Sequence, residues 1–224
     1  MELIYCADGN RRFAEIAIAA GFLYGARLPH RGLHFPPYFA DQDWKSPDRA
    51  KYMDALRKHK PQMATVIDLE RDSQFYEVMS WSEEAASIVD VVVIIPKAHG
   101  VIPKIPSKIS GAEIRLGYSV PTRYGGTEVP VWEFGRRPVH LLGGSPQAQM
   151  KLTYYLNVAS ADGNYANKMA TRYCQFWTPG NAIAKDRFWP RLVEADGAIW
   201  GNDAPYEAFR RSCENITAAW AVVR

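Results

Sequence analysis

RPVHLLGGSPQAQMKLTYYLNVASADGNYANKMA, Arg137 to Ala170, is the stretch whose reading decides the fold. Pro138 to Leu142 is a short apolar run of the kind shown by a strand buried on both faces. Gly143 and Gly144 end it. Ser145 and Pro146 then mark a helix start: a hydroxyl at the N-cap, and a proline at the first helical position, where its missing N–H costs nothing. The helix is expected to end near Asn157, and Val158 to Ala161 to form a second strand. Asp162 stands where that strand stops, followed by Gly163 and Asn164. A carboxylate at the C-terminal end of a parallel strand is where α/β folds place their chemistry.

The same alternation of strand and helix continues on both sides. Strands are expected at Glu2–Ala7, Phe22–Leu28, Met63–Ile67, Val89–Ile95 and Ile114–Val120. Helices are expected at Arg11–Ala20, from Ser46-Pro47 to about His59, and at Ser73–Ile88, with another over Asn164–Trp177 and a last one capped by Asp203. In that last helix Phe209, Cys213, Ile216, Trp220 and Val223 fall at helical spacing and read as core packing. Pro29 to Trp44 reads as an irregular loop, either a lid or a packed surface loop. This gives about seven parallel strands, or eight if Ala198–Trp200 also pairs. The expected fold is α/β, a (β/α)8 TIM-type barrel that is irregular or incomplete at most, formed by residues 1–224 as one domain. A doubly wound open sheet is the alternative, but no G-x-G-x-x-G or Walker-type loop is present.

The chain has 224 residues, 47% hydrophobic and 23% charged, enough for one sizeable core. No apolar run approaches the roughly 20 residues of a membrane helix. The start MELIYCADG has no basic region of the signal-peptide kind. Cys6, Cys174 and Cys213 show no C-x-x-C pairing, which argues against zinc and disulfides and fits a cytoplasmic location. The net charge of +3 is compatible with nucleic acid without indicating it. His30, His34, His59, His99 and His140 show no ligand spacing, so no metal is expected.

Asp8, Asp68 and Asp162 each follow an apolar strand, and in a barrel all three would face one mouth. Capping of the next helix is the other reading of any one of them. Lys97 and Gly117 stand at two further strand ends; a missing side chain at Gly117 would let a backbone or a ligand come close. An aspartate can attack an anomeric carbon, and a second carboxyl can carry the proton of the departing base. Like charges close together would raise at least one pKa.

The order of these pieces resembles the tRNA-guanine transglycosylase superfamily over roughly residues 2 to 170. HLLGGSPQ and VASAD are similar to the family's glycine turn, proline-started helix and nucleophile strand, which implies Asp162 as the nucleophile, beside Gly143 and Gly144. ADGNRRF implies Asp8 as the acid/base. SPDRAKYMDALRKHKPQMATVIDLE implies Asp68 as the base-recognising aspartate. RLGYSV implies that Gly117 and Tyr118 touch the base. VVVIIPK puts Pro96 or Lys97 where the family has a glutamine. The cysteine-rich zinc subdomain is absent, the turn after Asp8 differs from the family's, and the chain is shorter. In these respects it looks like the short DpdA-type enzymes of phages and bacterial islands.

That resemblance implies exchange of guanine in DNA for a 7-deazaguanine such as 7-cyano-7-deazaguanine, without a cofactor. Arg27, Arg31, Lys104, Lys108, Arg123, Arg136 and Arg137 could then contact phosphates, or be solvated surface. Two further readings stay open. One keeps the chemistry and changes the substrate to tRNA, a free nucleoside, or hydrolytic removal of the base. The other is a non-catalytic barrel that binds a nucleobase or nucleic acid. A homodimer or a partner protein that supplies DNA grip is compatible with any of them.

Overall fold

A computed structural model describes residues 1–6, 10–30, 32–122, 125–180, 188–197 and 201–222. Nine strands form one sheet: β1 (Glu2–Cys6), β2 (Leu23–Leu28), β3 (Phe39–Gln42), β4 (Met63–Thr65), β5 (Val91–Ile94), β6 (Lys108–Ile109), β7 (Ala112–Ser119), β8 (Pro138–Leu142) and β9 (Asn157–Gly163). All of them except β6 are parallel. Each pairs with its neighbour in chain order; β5 passes over the short β6 to pair with β7, and β9 returns to β1. The sheet is therefore a closed eight-stranded parallel barrel with helices outside it, a TIM-type (β/α)8 barrel. β6 is an antiparallel hairpin arm on β7, turned at Ser110 and Gly111, both with positive φ.

The eighth strand is β3, in the segment expected to be an irregular loop. FADQ offers only two apolar residues and no alternation long enough to read. Neighbouring backbone fixes it instead: Gly25–Leu28 pairs with Phe39–Gln42 in full register. The buried Tyr52 hydroxyl shares its one proton between the carbonyls of Thr65 at 2.8 Å and Ala40 at 3.2 Å, tying β3 to β4. Ala198–Trp200, the other expected source of an eighth strand, lies outside the described residues, as does Val223.

The helices are α1 (Arg11–Ala19), α2 (Arg49–His59), α3 (Phe75–Ala86), α4 (Pro146–Leu152), α5 (Tyr165–Tyr173), α6 (Leu192–Asp196) and α7 (Ala204–Ala221). Several starts or stops differ from expectation. Asp48, not Ser46, caps α2, because its carboxylate accepts the Lys51 N–H. Ser145 occupies the N-cap of α4 without a side-chain bond. α4 also stops at Leu152, since the chain must drop the buried Leu156 into the core before β9 begins. α5 ends at Cys174 in the left-handed conformation, and Trp177 beyond it is fully buried.

Inside the barrel, Ile4, Phe39, Met63, Val93 and Ile95 form a small cluster of their own. The larger core lies between the strands and the helices. On that outer side Phe209 of α7 packs its ring against Tyr5 of β1 and Phe13 of α1. No helix among the described residues is long and apolar enough to cross a membrane.

Gly117 faces the lumen. A Cβ there would lie 2.5 Å from Ile95 Cγ1 and 3.0 Å from Leu142 Cδ1. The space left by its missing side chain is thus filled by barrel side chains. Gly117→Ala should lower stability by about 1–3 kcal/mol, measured by urea unfolding; unchanged stability would mean that the lumen can yield.

Candidate active site

A cavity of about 490 Å³ opens at the C-terminal ends of the strands. That volume suits a small ligand. Asp41, Asp68, Lys97, Asp162 and Arg27 bring charge to it, and Gly143 and Gly144 form part of its wall. It lies at the end of the barrel where this fold places its sites.

Asp162 is the penultimate residue of β9, and the pairing with Ile4 of β1 points its side chain inward. The Gly143 N–H donates to Asp162 Oδ1 at 3.2 Å, and His140 Nε2 stands 3.4 Å from the same oxygen. Gly143 and Gly144 both have positive φ, which glycine adopts without strain. This turn carries the Gly143 amide over the end of β9. The Gln149 side chain of α4 donates at 2.7 Å to the carbonyls of Gly143 and Asp162 and holds the two strand ends together.

Asp41 shares the cavity and was missed by reading the sequence, because its role depends on β3. In register it lies beside Arg27 of β2. The Thr65 hydroxyl accepts the Gln42 N–H at 2.7 Å, which leaves its own proton to donate to Asp41 Oδ1 at 3.3 Å. Burial, then the negative charge of Asp162, push the Asp41 carboxyl up to about 7 against the pull of Arg27. A carboxyl beside another, with its proton retained near neutrality, is the arrangement that separates an acid from a nucleophile. The legible signal was an aspartate directly after the apolar Tyr38-Phe39-Ala40.

Asp68 lies three residues beyond β4 and pairs with Lys97 Nζ at 3.0 Å. Burial raises its pKa, opposed by Lys97. Both residues line the cavity, with Glu70 3.8 Å from Lys97. Of the expected base-contacting pair, neither lines it. Gly117 is in the lumen below, and Tyr118 points outward against Phe134, their rings 5.3 Å apart. Side chains alternate along a strand, so Ser119 is the β7 residue at the mouth. Asp8 lies outside the described residues.

The basic residues expected to meet phosphate are dispersed. Arg27 lines the cavity. Arg137 donates to the carbonyls of Ile105, Pro106 and Ile114, and Lys104 pairs with Asp72 at 2.6 Å. Lys108 and Arg136 are exposed on chain leading into β7 and β8, at the N-terminal ends of those strands and so away from the mouth. Arg31 and Arg123 lie outside the described residues.

The molecule is thus a closed parallel barrel with a carboxyl-rich cavity at its mouth. A family profile described as a family of unknown function, DUF6610, matches residues 17–221, and the chain belongs to that family. No curated protein matches the sequence. The matched span contains Asp41, Asp68, His140 and Asp162.

Folded Asp41 keeps its proton up to about pH 7, whereas the unfolded chain releases it near pH 4. Between those values the folded state binds more protons, so stability falls as pH rises through the window and the loss is complete above it. Asp41→Asn has no proton to release. Its stability relative to the wild type should rise by up to a few kcal/mol from about pH 4 to 7 and then level off. Denaturant unfolding across that range measures this; a flat difference would make Asp41 an ordinary carboxylate.

Proposed function

We propose that this protein is a base-exchange transglycosylase that replaces guanine in DNA with a 7-deazaguanine through a covalent aspartyl intermediate. The observation that carries the reading is the pair of carboxyls in one cavity: Asp162, held by a backbone N–H, and Asp41, which retains a proton near neutrality. Asp162 attacks C1′ while the C1′–N9 bond breaks and the electron pair leaves on guanine. Asp41 supplies the proton that the leaving base takes up. The incoming base then loses its own N9 proton to the Asp41 carboxylate, attacks C1′ and frees Asp162, so atoms and charge return to their starting state.

The resemblance gives the proton transfer to Asp8; Asp41 is the group that supports it among the described residues. Asp68 and Lys97 offer one acceptor and one donor set for the edge of a flat heterocycle. Guanine in a duplex must leave its stack to reach them. The choice of DNA over tRNA comes from the resemblance to the short DpdA-type enzymes.

Labelled guanine or 7-cyano-7-deazaguanine should enter duplex DNA and not tRNA. Asp162→Asn should abolish incorporation, and Asp41→Asn should slow it about 10²–10⁴-fold. Because loss of the base uses the protonated form of Asp41, the wild-type rate of that half-reaction should fall as pH rises through about 7, and Asp41→Asn should lose this limb. Label in tRNA would replace the substrate. Label in neither polymer, with folded protein, would overturn the reading.

A further inference from the structure

His140 is fully buried, directly beneath Asp162, in a lumen otherwise packed with Phe39, Met63, Val93 and Ile95. Its ring lies against Phe39 with centroids 4.9 Å apart. Nδ1 is 2.7 Å from the Ser160 hydroxyl oxygen, and Nε2 is 3.4 Å from Asp162 Oδ1. Ser160 is itself fully buried, and its oxygen accepts an N–H from Arg115 Nη1 at 2.8 Å.

These contacts determine where the ring proton sits. Arg115 only donates, so among its described partners the Ser160 hydroxyl has one acceptor for its proton, His140 Nδ1. A neutral imidazole that accepts at Nδ1 carries its proton on Nε2. That nitrogen, buried and without a hydrogen-bond partner among the described residues, stands 3.4 Å from a carboxylate oxygen. The opposite tautomer would aim a lone pair at Asp162 and leave the serine proton without an acceptor among its described partners. Ser160 below and Asp162 above therefore select the same tautomer independently. Oδ1 of Asp162 consequently accepts the Gly143 N–H and has the His140 N–H within 3.4 Å, too far off line for a hydrogen bond. Oδ2 has no hydrogen-bond partner among the described residues.

We infer that His140 is a positioning residue, locked by Arg115 and Ser160 as its Nε2–H tautomer, whose N–H, otherwise unpartnered, attracts Oδ1 of Asp162 and leaves Oδ2 as the oxygen presented to the cavity. The tautomer stands on geometry alone; its kinetic consequence rests on the transglycosylase reading. In that reaction Oδ2 forms the bond to C1′ and the Nε2 proton stays on His140.

The test is nitrogen NMR of the protein labelled at its five histidines, with the His140 signals identified by their loss in His140→Gln. The wild type should show a bare Nδ1 and a protonated Nε2. Ser160→Ala, a small change that removes the donor to Nδ1, should convert this to a mixture of tautomers. A protonated Nδ1 in the wild type, or an unaltered pattern in Ser160→Ala, would overturn the lock. In the exchange assay His140→Ala should lose about 100-fold in kcat with KM little changed. His140→Gln, whose amide N–H replaces Nε2–H, should recover most of it. Equal loss in both folded variants would overturn the positioning role. A wild type that exchanges no base would remove the transglycosylase reading, and the nitrogen spectrum would then decide the tautomer alone.

Discussion

The pairing of Arg115 with Glu2 is the interaction on which the barrel interior depends. Arg115 brings a permanent positive charge into a lumen of aliphatic and aromatic side chains, where an unpaired ion costs several kcal/mol. Glu2 meets it at 2.6 Å, Glu113 at 3.2 Å and the Ser160 hydroxyl at 2.8 Å. Tyr38 donates to the other oxygen of Glu2. Glu2 belongs to β1 and Arg115 to β7, so the pair spans the lumen and joins strands that are not neighbours in the sheet. Four donors and acceptors fixed at the floor leave Ser160 one orientation. That orientation passes through His140 to the carboxylate at the mouth.

Seven of the eight parallel strands were legible because each is a mostly apolar stretch of at least four residues that runs up to a glycine, proline or aspartate. β3 was not, and Asp41 went with it. Its four residues follow Pro36 and Pro37, and only pairing with β2 and β4 makes them a strand. Asp162 was legible because a strand-ending aspartate shows itself locally. His140 stood in plain view within a correctly read strand, yet its role was hidden. It arises from the pairing of His140 with Ser160, next to an irregularity in the register of β8 and β9, and no local pattern encodes a register between strands.

Tyr118 shows the same limit from another side. A glycine-bearing strand was recognised, but which of its faces looks into the barrel was not. Arg115, Gly117 and Ser119 share the inner face, and Tyr118 falls on the outer one by the two-residue period of a strand. A charged residue in a strand buried on both faces, two positions before a glycine that must clear Ile95, would have settled the parity. The helix starts show that local capping chemistry competes over two or three residues: Ser46-Pro47 and Asp48 both look like starts, and the carboxylate with an N–H in reach is the one used.

The helical jacket is uneven. Among the described residues no α-helix joins β2 to β3, β5 to β7 or β7 to β8, while α1, α5 and α7 pack on one another beside β1 and β9. Protection against opening is therefore concentrated on one flank of the barrel. Asp162 belongs to that flank; Asp41 belongs to β3, which no helix among the described residues joins to β2 and which Tyr52 of α2 holds from outside. The two carboxyls thus stand on differently built supports: Asp162 where α1 and α5 both pack on α7, Asp41 on a strand entered without a helix and held from outside by that tyrosine.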